Sequence, residues 1–339
     1  MNTFCKRCAV WFGILLTLTL SACQGRVSAL NPRGEGAIHI ANLWWIMMII
    51  GALIYVEVLI FLAIALFHRR SVRAGEEQRP NITPPSRNDR LFIIANGIAI
   101  PLVILFIVFG LNLNTLAALS PVGAEPAITI EVIGHRWWWE VRFPHDNLVT
   151  ANEIRIPVGT RVELRLTSED VIHSLWFPEL NGKTDLIPGQ SNRMFLYTDH
   201  AGEYRGQCAE LCGVQHTKMA LYVIAQPVDE YEQWVAQQQQ PAPIPQDAET
   251  LRGQQIFLGA ACVYCHAIEG TSASGVIGPD LTHLASRKTL GAGAIANTRG
   301  NLAGWIIDSQ AIKPGNRMPP VYLEGDDLQA LLTYLESLQ

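Results

Sequence analysis

Charge is scarce in this chain. Asp, Glu, Lys and Arg make up 16% of its 339 residues, and 30 acidic against 25 basic side chains leave a formal net charge of −5. With no basic excess to hold a polyanion, nucleic acid is set aside as a partner. Cysteine is sparse as well: Cys5, Cys8, Cys23, Cys208, Cys212, Cys262 and Cys265 are too few and too unevenly spread for a disulfide-built scaffold. Apolar residues, by contrast, reach 49%. A single cytosolic domain therefore fits poorly, and the length suggests two or three domains.

Lys6 and Arg7 precede an apolar run from Ala9 to Leu20, followed by Ser21-Ala22-Cys23. This is the layout of a secretory signal over residues 1–22, with an apolar run too short to span a bilayer. The tetrapeptide Leu20 to Cys23 resembles a bacterial lipoprotein cleavage box, which implies a lipid-modified Cys23; a plain signal peptide or an uncleaved anchor is the alternative. Two longer apolar stretches, Leu43 to Phe67 and Leu91 to Leu113, predict a two-helix transmembrane hairpin within residues 23–119. The connector between them carries Arg69, Arg70, Arg73, Arg79, Arg87 and Arg90 against Glu76, Glu77 and Asp89, and no Lys or Arg follows until Arg136. The positive-inside rule puts that connector in the cytoplasm and everything after Leu113 outside. Glu57 lies within the first span, where an acid serves a polar helix contact or a proton route.

Residues 120–228 change to period two. Arg161 to Leu166 alternates strictly, and Glu131-Val132, Glu153 to Ile156, Arg193 to Tyr197 and Leu221 to Ile224 read as further strands between Gly, Pro and Asn turn signals. A small antiparallel sandwich or barrel follows. Between Ser120 and Asp247 there are 17 acidic and 9 basic residues, so a basic surface would be drawn to it. Its chemistry concentrates in the segment Gly206 to Met219, where Cys208, Cys212, His216 and Met219 offer soft or borderline donors suited to copper, zinc or iron. The spacings would also suit an apolar helical stripe, but Gly206 and Gly213 and the position between two strand patterns favour a loop. A structural zinc site of Cys208, Cys212, His216 and an upstream histidine such as His173 is the main rival, although zinc would leave Met219 idle. One blue copper needs a single Cys; two coppers bridged by two thiolates would use every donor.

Together with Val171-Ile172-His173-Ser174 and Lys183 to Gly189, this loop resembles the dinuclear copper site, CuA, of cytochrome c oxidase subunit II, a likeness extending over roughly residues 37–228. The resemblance implies a cupredoxin-like all-β domain with His173, Cys208, Cys212, His216 and Met219 as side-chain copper ligands. It also implies that Glu210 ligates through its backbone carbonyl, with its carboxylate facing a magnesium ion at the contact with subunit I. Gly134-His135-Arg136-Trp137-Trp138-Trp139 is similar to the family's aromatic patch, which makes Trp137 the point of electron entry to copper. His145 and His200 match no ligand position. The chain departs from many subunits II in having no acid between Leu91 and Ile100, with only Asp89 nearby.

A short helix at Asp229 to Ala236 and the stretch Gln237 to Pro245 read as a helix and a semi-extended Pro/Gln linker over residues 229–248. A helix starts near Asp247, and Leu328, Leu331, Leu332 and Leu335 mark a C-terminal amphipathic helix with Asp326 as its cap. Between them, Cys262-Val263-Tyr264-Cys265-His266 is the attachment pattern of a c-type haem: two thioether bonds to Cys262 and Cys265 and iron ligation by His266. A thioredoxin-like redox pair is the alternative. Met318, the only methionine after Met219, precedes the last helix and supplies the other axial ligand, as in class I cytochromes c, which residues 249–339 resemble. Gly278-Pro279-Asp280-Leu281 resembles the loop on the histidine side of such haems, Arg287 is a candidate propionate partner, and His283 reads as a surface or propionate contact.

Taken together, the parts resemble subunit II of a caa-type cytochrome c oxidase. The resemblance implies a multi-pass protein of the bacterial inner membrane with copper and haem domains on the periplasmic side, docked on subunit I and subunit III. It would take electrons from an external cytochrome c or a cytochrome c reductase complex. A haem carrier with structural zinc, a copper-handling assembly factor and a nitrous oxide reductase subunit are the alternatives.

Overall fold

A computed structural model describes residues 27–72, 84, 86–120 and 126–339. The signal segment, Cys5, Cys8, Cys23 and the connector arginines Arg73 and Arg79 lie outside those residues. One compact unit comprises Ile38–Gly123, and the β-domain and C-terminal domain together form the other.

The first unit is built from α1 (Glu35–Val72) and a second long helix made of α2 (Arg87–Ile94), a π turn (Ala95–Ala99) and α3 (Ile100–Leu119). Each has a 33-residue span, Glu35–Phe67 and Arg87–Leu119, with mean hydropathy 2.7 and 2.8 and an apolar stretch left unburied by the protein. At ~1.5 Å per residue either exceeds the ~30 Å hydrocarbon core, and surfaces apolar on every side find their partner in lipid. The rings of Phe61 and Phe92 meet edge to face at 5.4 Å. The second helix starts earlier than its apolar run because Ser86 and Asp89 form a reciprocal cap: the Asp89 N–H donates to Ser86 Oγ at 3.2 Å and the Ser86 N–H to Asp89 Oδ2 at 2.8 Å. The acid nearest the second span is thereby engaged at a helix end. Glu57 lies on the exposed surface of α1.

The β-domain is a sandwich of two five-stranded sheets, ordered β3-β2-β1-β5-β8 and β4-β10-β9-β6-β7. The strands run β1 (Ile128–His135), β2 (Trp138–Phe143), β3 (Leu148–Ala151), β4 (Glu153–Pro157), β5 (Val162–Ser168), β6 (His173–Trp176), β7 (Lys183–Leu186), β8 (Asn192–Leu196), β9 (Gly202–Cys208) and β10 (Ala220–Gln226). It is not purely antiparallel, since β1 pairs with β5 and β4 with β10 in parallel. Alternation drives the burial: Val162, Leu164 and Leu166 are fully buried beside Ile130, Val132 and Ile154. Glu163, on the other face of β5, is also buried, paired with Arg193 and Arg165.

The helix after β10, α4 (Val228–Gln238), lays Tyr231 and Trp234 into the sandwich core, with Arg155 over the Trp234 ring at 5.3 Å. The linker beyond it is held rather than free. His283 Nε2 faces the carbonyls of Gln238 and Gln240 at 3.0 and 3.1 Å, its Nδ1 faces that of Gln339 at 2.6 Å, and the Ala242 N–H donates to Glu269 O at 3.0 Å. His283 is thus a buried tie between linker and C-terminus, not a surface residue.

The C-terminal domain packs α5 (Ala248–Gly259) across α8 (Gly325–Ser337), with α6 (Arg299–Ile307) and α7 (Ser309–Ile312) between them in sequence and a small β11–β12 hairpin (Thr289–Leu290, Ile295–Ala296) at one side. Asp247 caps α5 by accepting from the Glu249 and Thr250 N–H groups. At the crossing, a Cβ on Gly253 would lie 2.0 Å from Ala330 O, so only glycine lets the helices meet. The cap of α8 is Glu324, and Asp326 instead falls in the first turn, where an acid complements the positive helix end.

Candidate metal centre

The loop from Cys208 to Met219 connects β9 to β10, and His173 opens the adjacent β6, so sheet pairing of Leu175 with Cys208 delivers the histidine to the loop. The two sulphurs, Cys208 Sγ and Cys212 Sγ, stand 3.7 Å apart as free thiols. His173 Nδ1 approaches Cys208 Sγ at 3.9 Å, and His216 Nδ1 approaches Cys212 Sγ at 3.8 Å. Met219 Sδ lies 3.8 Å from Cys212 Sγ, and the Glu210 carbonyl accepts from Cys208 Sγ at 3.2 Å. All six groups named from the sequence are therefore gathered around one pair of sulphurs. His173, Cys208, Cys212 and Met219 are buried. The Glu210 carboxylate points outward, 4.0 Å from Lys183 Nζ.

The electrostatics suit deprotonation. The S–H of Cys212, followed by backbone donors, drives the Cys208 thiol well down despite burial, while the proton shared with Cys208 drives Cys212 up. A thiolate is already favoured where a soft cation would bind.

Asp170, which the sequence did not mark, orients the site. His173 Nε2 lies 3.0 Å from Asp170 Oδ1; the carboxylate only accepts, so Nε2 carries the proton and the Nδ1 lone pair turns to Cys208. Burial would raise the Asp170 carboxyl, but hydrogen bonds from His173, the Val171 N–H and the Arg136 N–H hold it below the usual carboxylate range. A Cβ on Gly134 would come within 2.7 Å of His173 Cδ2, so that glycine leaves the ring its place. Trp137 sits in the β1–β2 turn and donates its Nε1–H to the Cys212 carbonyl at 3.0 Å. Gly213, at φ +119°, permits the loop to turn against the Trp137 ring. His145 and His200 take no part among the donors.

The family described as cytochrome c oxidase subunit II, periplasmic domain, matches residues 145–226, and the cytochrome c family matches residues 250–339. Cytochrome c oxidase subunit 2 of Alkalihalophilus pseudofirmus is 34% identical over 333 residues, covering 96% of this chain and 95% of its own. The chain belongs to the cytochrome c oxidase subunit II family. The Bacillus subtilis subunit 2 is 30% identical over 96% of each chain, and that of Bacillus sp. strain PS3 is 30% identical over 71% of this chain and 72% of its own. This subunit II is thus an electron-transfer component of a cytochrome c oxidase, with two apolar helices, a cupredoxin-like sandwich and a helical cytochrome c domain, and it associates with other oxidase subunits. Its two families imply copper and haem.

In the cytochrome c domain of this subunit II, a 3₁₀ turn (Ala261–Tyr264) brings Cys262, Cys265 and His266 into one compact corner, where the Cys265 and His266 N–H groups donate to Cys262 O at 3.1 and 3.0 Å. His266 Nδ1–H donates to the Pro279 carbonyl at 2.7 Å, which leaves Nε2 as the free lone pair. Burial pushes this imidazole down, towards the neutral form a metal requires. A Cβ on Gly278 would stand 2.7 Å from His266 Cε1, so the Gly278-Pro279 loop closes directly over the ring. Met318 lies on a separate segment held through its backbone: its N–H donates to Asn316 Oδ1 at 2.8 Å, and its carbonyl accepts from Ser309 and Gln310 at 2.7 and 2.9 Å. Arg287 is buried, and its Nε has no partner among the described residues.

Replacing Asp170 with Asn in this subunit II is expected to weaken copper binding by about 10–100-fold, because the amide can present its N–H to Nε2 and reverse the tautomer. Competition with a chelator measures it, and an unchanged affinity would remove Asp170 from the orienting role.

Proposed function

We propose that this subunit passes electrons from its own c-type haem to a dinuclear CuA centre and on to the oxygen-reducing subunit I. The observation that supports it is the donor set: two sulphurs 3.7 Å apart, each with one imidazole beside it, one with a thioether and the other with a carbonyl. A tetrahedral zinc site would use four donors and strand two. Six donors, two of them thiolates, suit a pair of copper ions, which when bound supply reversible one-electron transfer.

The chain's residues then divide the work. Cys208 and Cys212, once deprotonated, would hold the pair together with His173, His216, Met219 and the Glu210 carbonyl. Trp137, bonded to the Cys212 carbonyl, gives the electron its entry. The outward Glu210 carboxylate would meet a magnesium ion where subunit I docks. Cys262 and Cys265 tether the haem, and His266 and Met318 ligate its iron, a combination that raises the potential and suits a carrier. The unpartnered Arg287 Nε and the close Gly278 lid fit that group, the buried guanidinium calling for an anion such as a propionate. The loops from β9 and β6 would face the periplasm with subunit III and the external cytochrome c or reductase as further partners.

Metal analysis and electron paramagnetic resonance of the purified full chain test this reading. Two coppers per haem and a multiline mixed-valence signal are expected. Iron without copper, or zinc in its place, would overturn it.

A further inference from the structure

The cytochrome c domain, residues 249–339, contains two lysines, Lys288 and Lys313, and both meet the acidic β-domain. Lys288 lies at the rim, pairing with Glu203 and donating its N–H to Glu153 Oε1 at 2.6 Å. Lys313 lies deeper: it is only 2% exposed, and its Nζ donates to the carbonyls of Trp137, Lys218 and Gly291 at 2.6, 2.7 and 2.8 Å. Two of those carbonyls belong to the β-domain and one to the haem-binding domain. Among the described residues no carboxylate pairs with this amine.

A buried amine is costly unless its hydrogens are all received, and three carbonyls match the three N–H groups of an ammonium. Burial nonetheless pulls Lys313 down to about 7. The contacts of this amine join the two domains.

Each carbonyl acceptor is connected to the copper loop or braces the contact with it. Trp137 carries the Lys313 bond on its carbonyl and the Cys212 bond on its indole. Lys218 directly precedes Met219. Gly291, Ala292 and Gly293 all have positive φ, a tight turn that lets Ala292 O accept the Ala220 N–H at 2.9 Å and seats Gly293 against Ala220, where a Cβ would come within 2.8 Å. Gln215 donates to the Pro314 carbonyl at 2.6 Å, and Lys218 to that of Ile312. The segment 312–315 that makes these contacts leads directly to Met318.

We propose that Lys313 is a positioning residue that locks the haem-binding domain onto the Trp137 face of the copper-binding domain, so that electrons arrive from a docked donor and a soluble carrier is kept from that face. The proposal rests on the relay described above. Its consequence is that an external donor delivers to the haem rather than to Trp137.

Lys313→Met in the full, metal-loaded chain tests it, since Met fills much the same space while withdrawing all three N–H donors from the carbonyls. Amide hydrogen exchange at Ala220 is expected to accelerate by at least about tenfold, and flash-induced haem oxidation to slow by about as much and become viscosity-dependent, since a buried charged contact governs release. Haem and copper spectra should remain those of the parent. Lys288→Ala, which removes only a rim pair, should leave Ala220 exchange within about twofold. If Lys313→Met does not accumulate, Lys313→Gln, able to reach one or two of the carbonyls, should show a smaller change of the same sign. Intact spectra with unchanged Ala220 exchange, or with faster exchange but unchanged haem oxidation, would overturn the positioning role. Missing copper or haem signals in the parent chain would instead overturn the relay.

Discussion

Cys212→Ser is expected to abolish the mixed-valence copper signal while leaving the haem spectrum unchanged. Cys212 Sγ touches three of the other donors, Cys208 Sγ, His216 Nδ1 and Met219 Sδ, at 3.7 to 3.8 Å, so its loss breaks the set in two. A serine hydroxyl stays protonated and offers a hard oxygen where a soft bridge is needed. Changing groups outside the ligand shell costs ~10–100-fold in affinity, so loss of a bridging ligand should exceed that, and haem oxidation should slow by more than about 100-fold. Trp137 should keep its place, because it bonds to the Cys212 carbonyl and not to the sulphur. Resonance spectra with copper counts read the first effect and flash kinetics the second. Undiminished haem oxidation in this variant would mean that electrons leave the haem by another route.

Met318→Ala should lower the haem potential and remove the sulphur–iron charge-transfer band. The Met318 segment is held by bonds to its backbone N–H and carbonyl from Asn316, Ser309 and Gln310, all of which survive truncation of the side chain. The change is therefore confined to the axial position. A drop on the order of 100 mV, a fraction of the roughly 0.8 V that axial ligands span, would shift the electron equilibrium with an external donor about 50-fold. Potentiometric titration measures it; an unaltered potential would remove Met318 from the iron.

The copper loop was legible because its donors are local: five of the six groups lie within twelve residues, and chemistry fixes their spacing. The haem corner was legible for the same reason. Strands were read where alternation was clean, as at Arg161 to Leu166, and missed where it was not. Strand β9, Gly202–Cys208, is glycine-rich and polar, and it exists because β10 and β6 pair with it on either side. Strands β3, β6 and β7 have four residues each, too few for a period to show. Strand β2 begins in the tryptophan run, where aromatic bulk masks the inward and outward faces. The parallel pairings could not be read either, since register between distant strands leaves no local mark. Asp170 has the sequence proximity to be noticed but no motif to single it out. Lys313 has neither, lying 176 positions from the carbonyl of Trp137.

The linker gives the arrangement its economy. Its proline and glutamine run reads as a semi-extended linker, yet the chain is seated at both ends, by Trp234 on one domain and His283 on the other. A shuttle that visits its acceptor must dissociate after every delivery, so its grip is kept weak and its throughput falls with dilution and salt. A resident donor has no such obligation: it can hold fast through successive turnovers, leaving departure and re-encounter to whatever protein refills it.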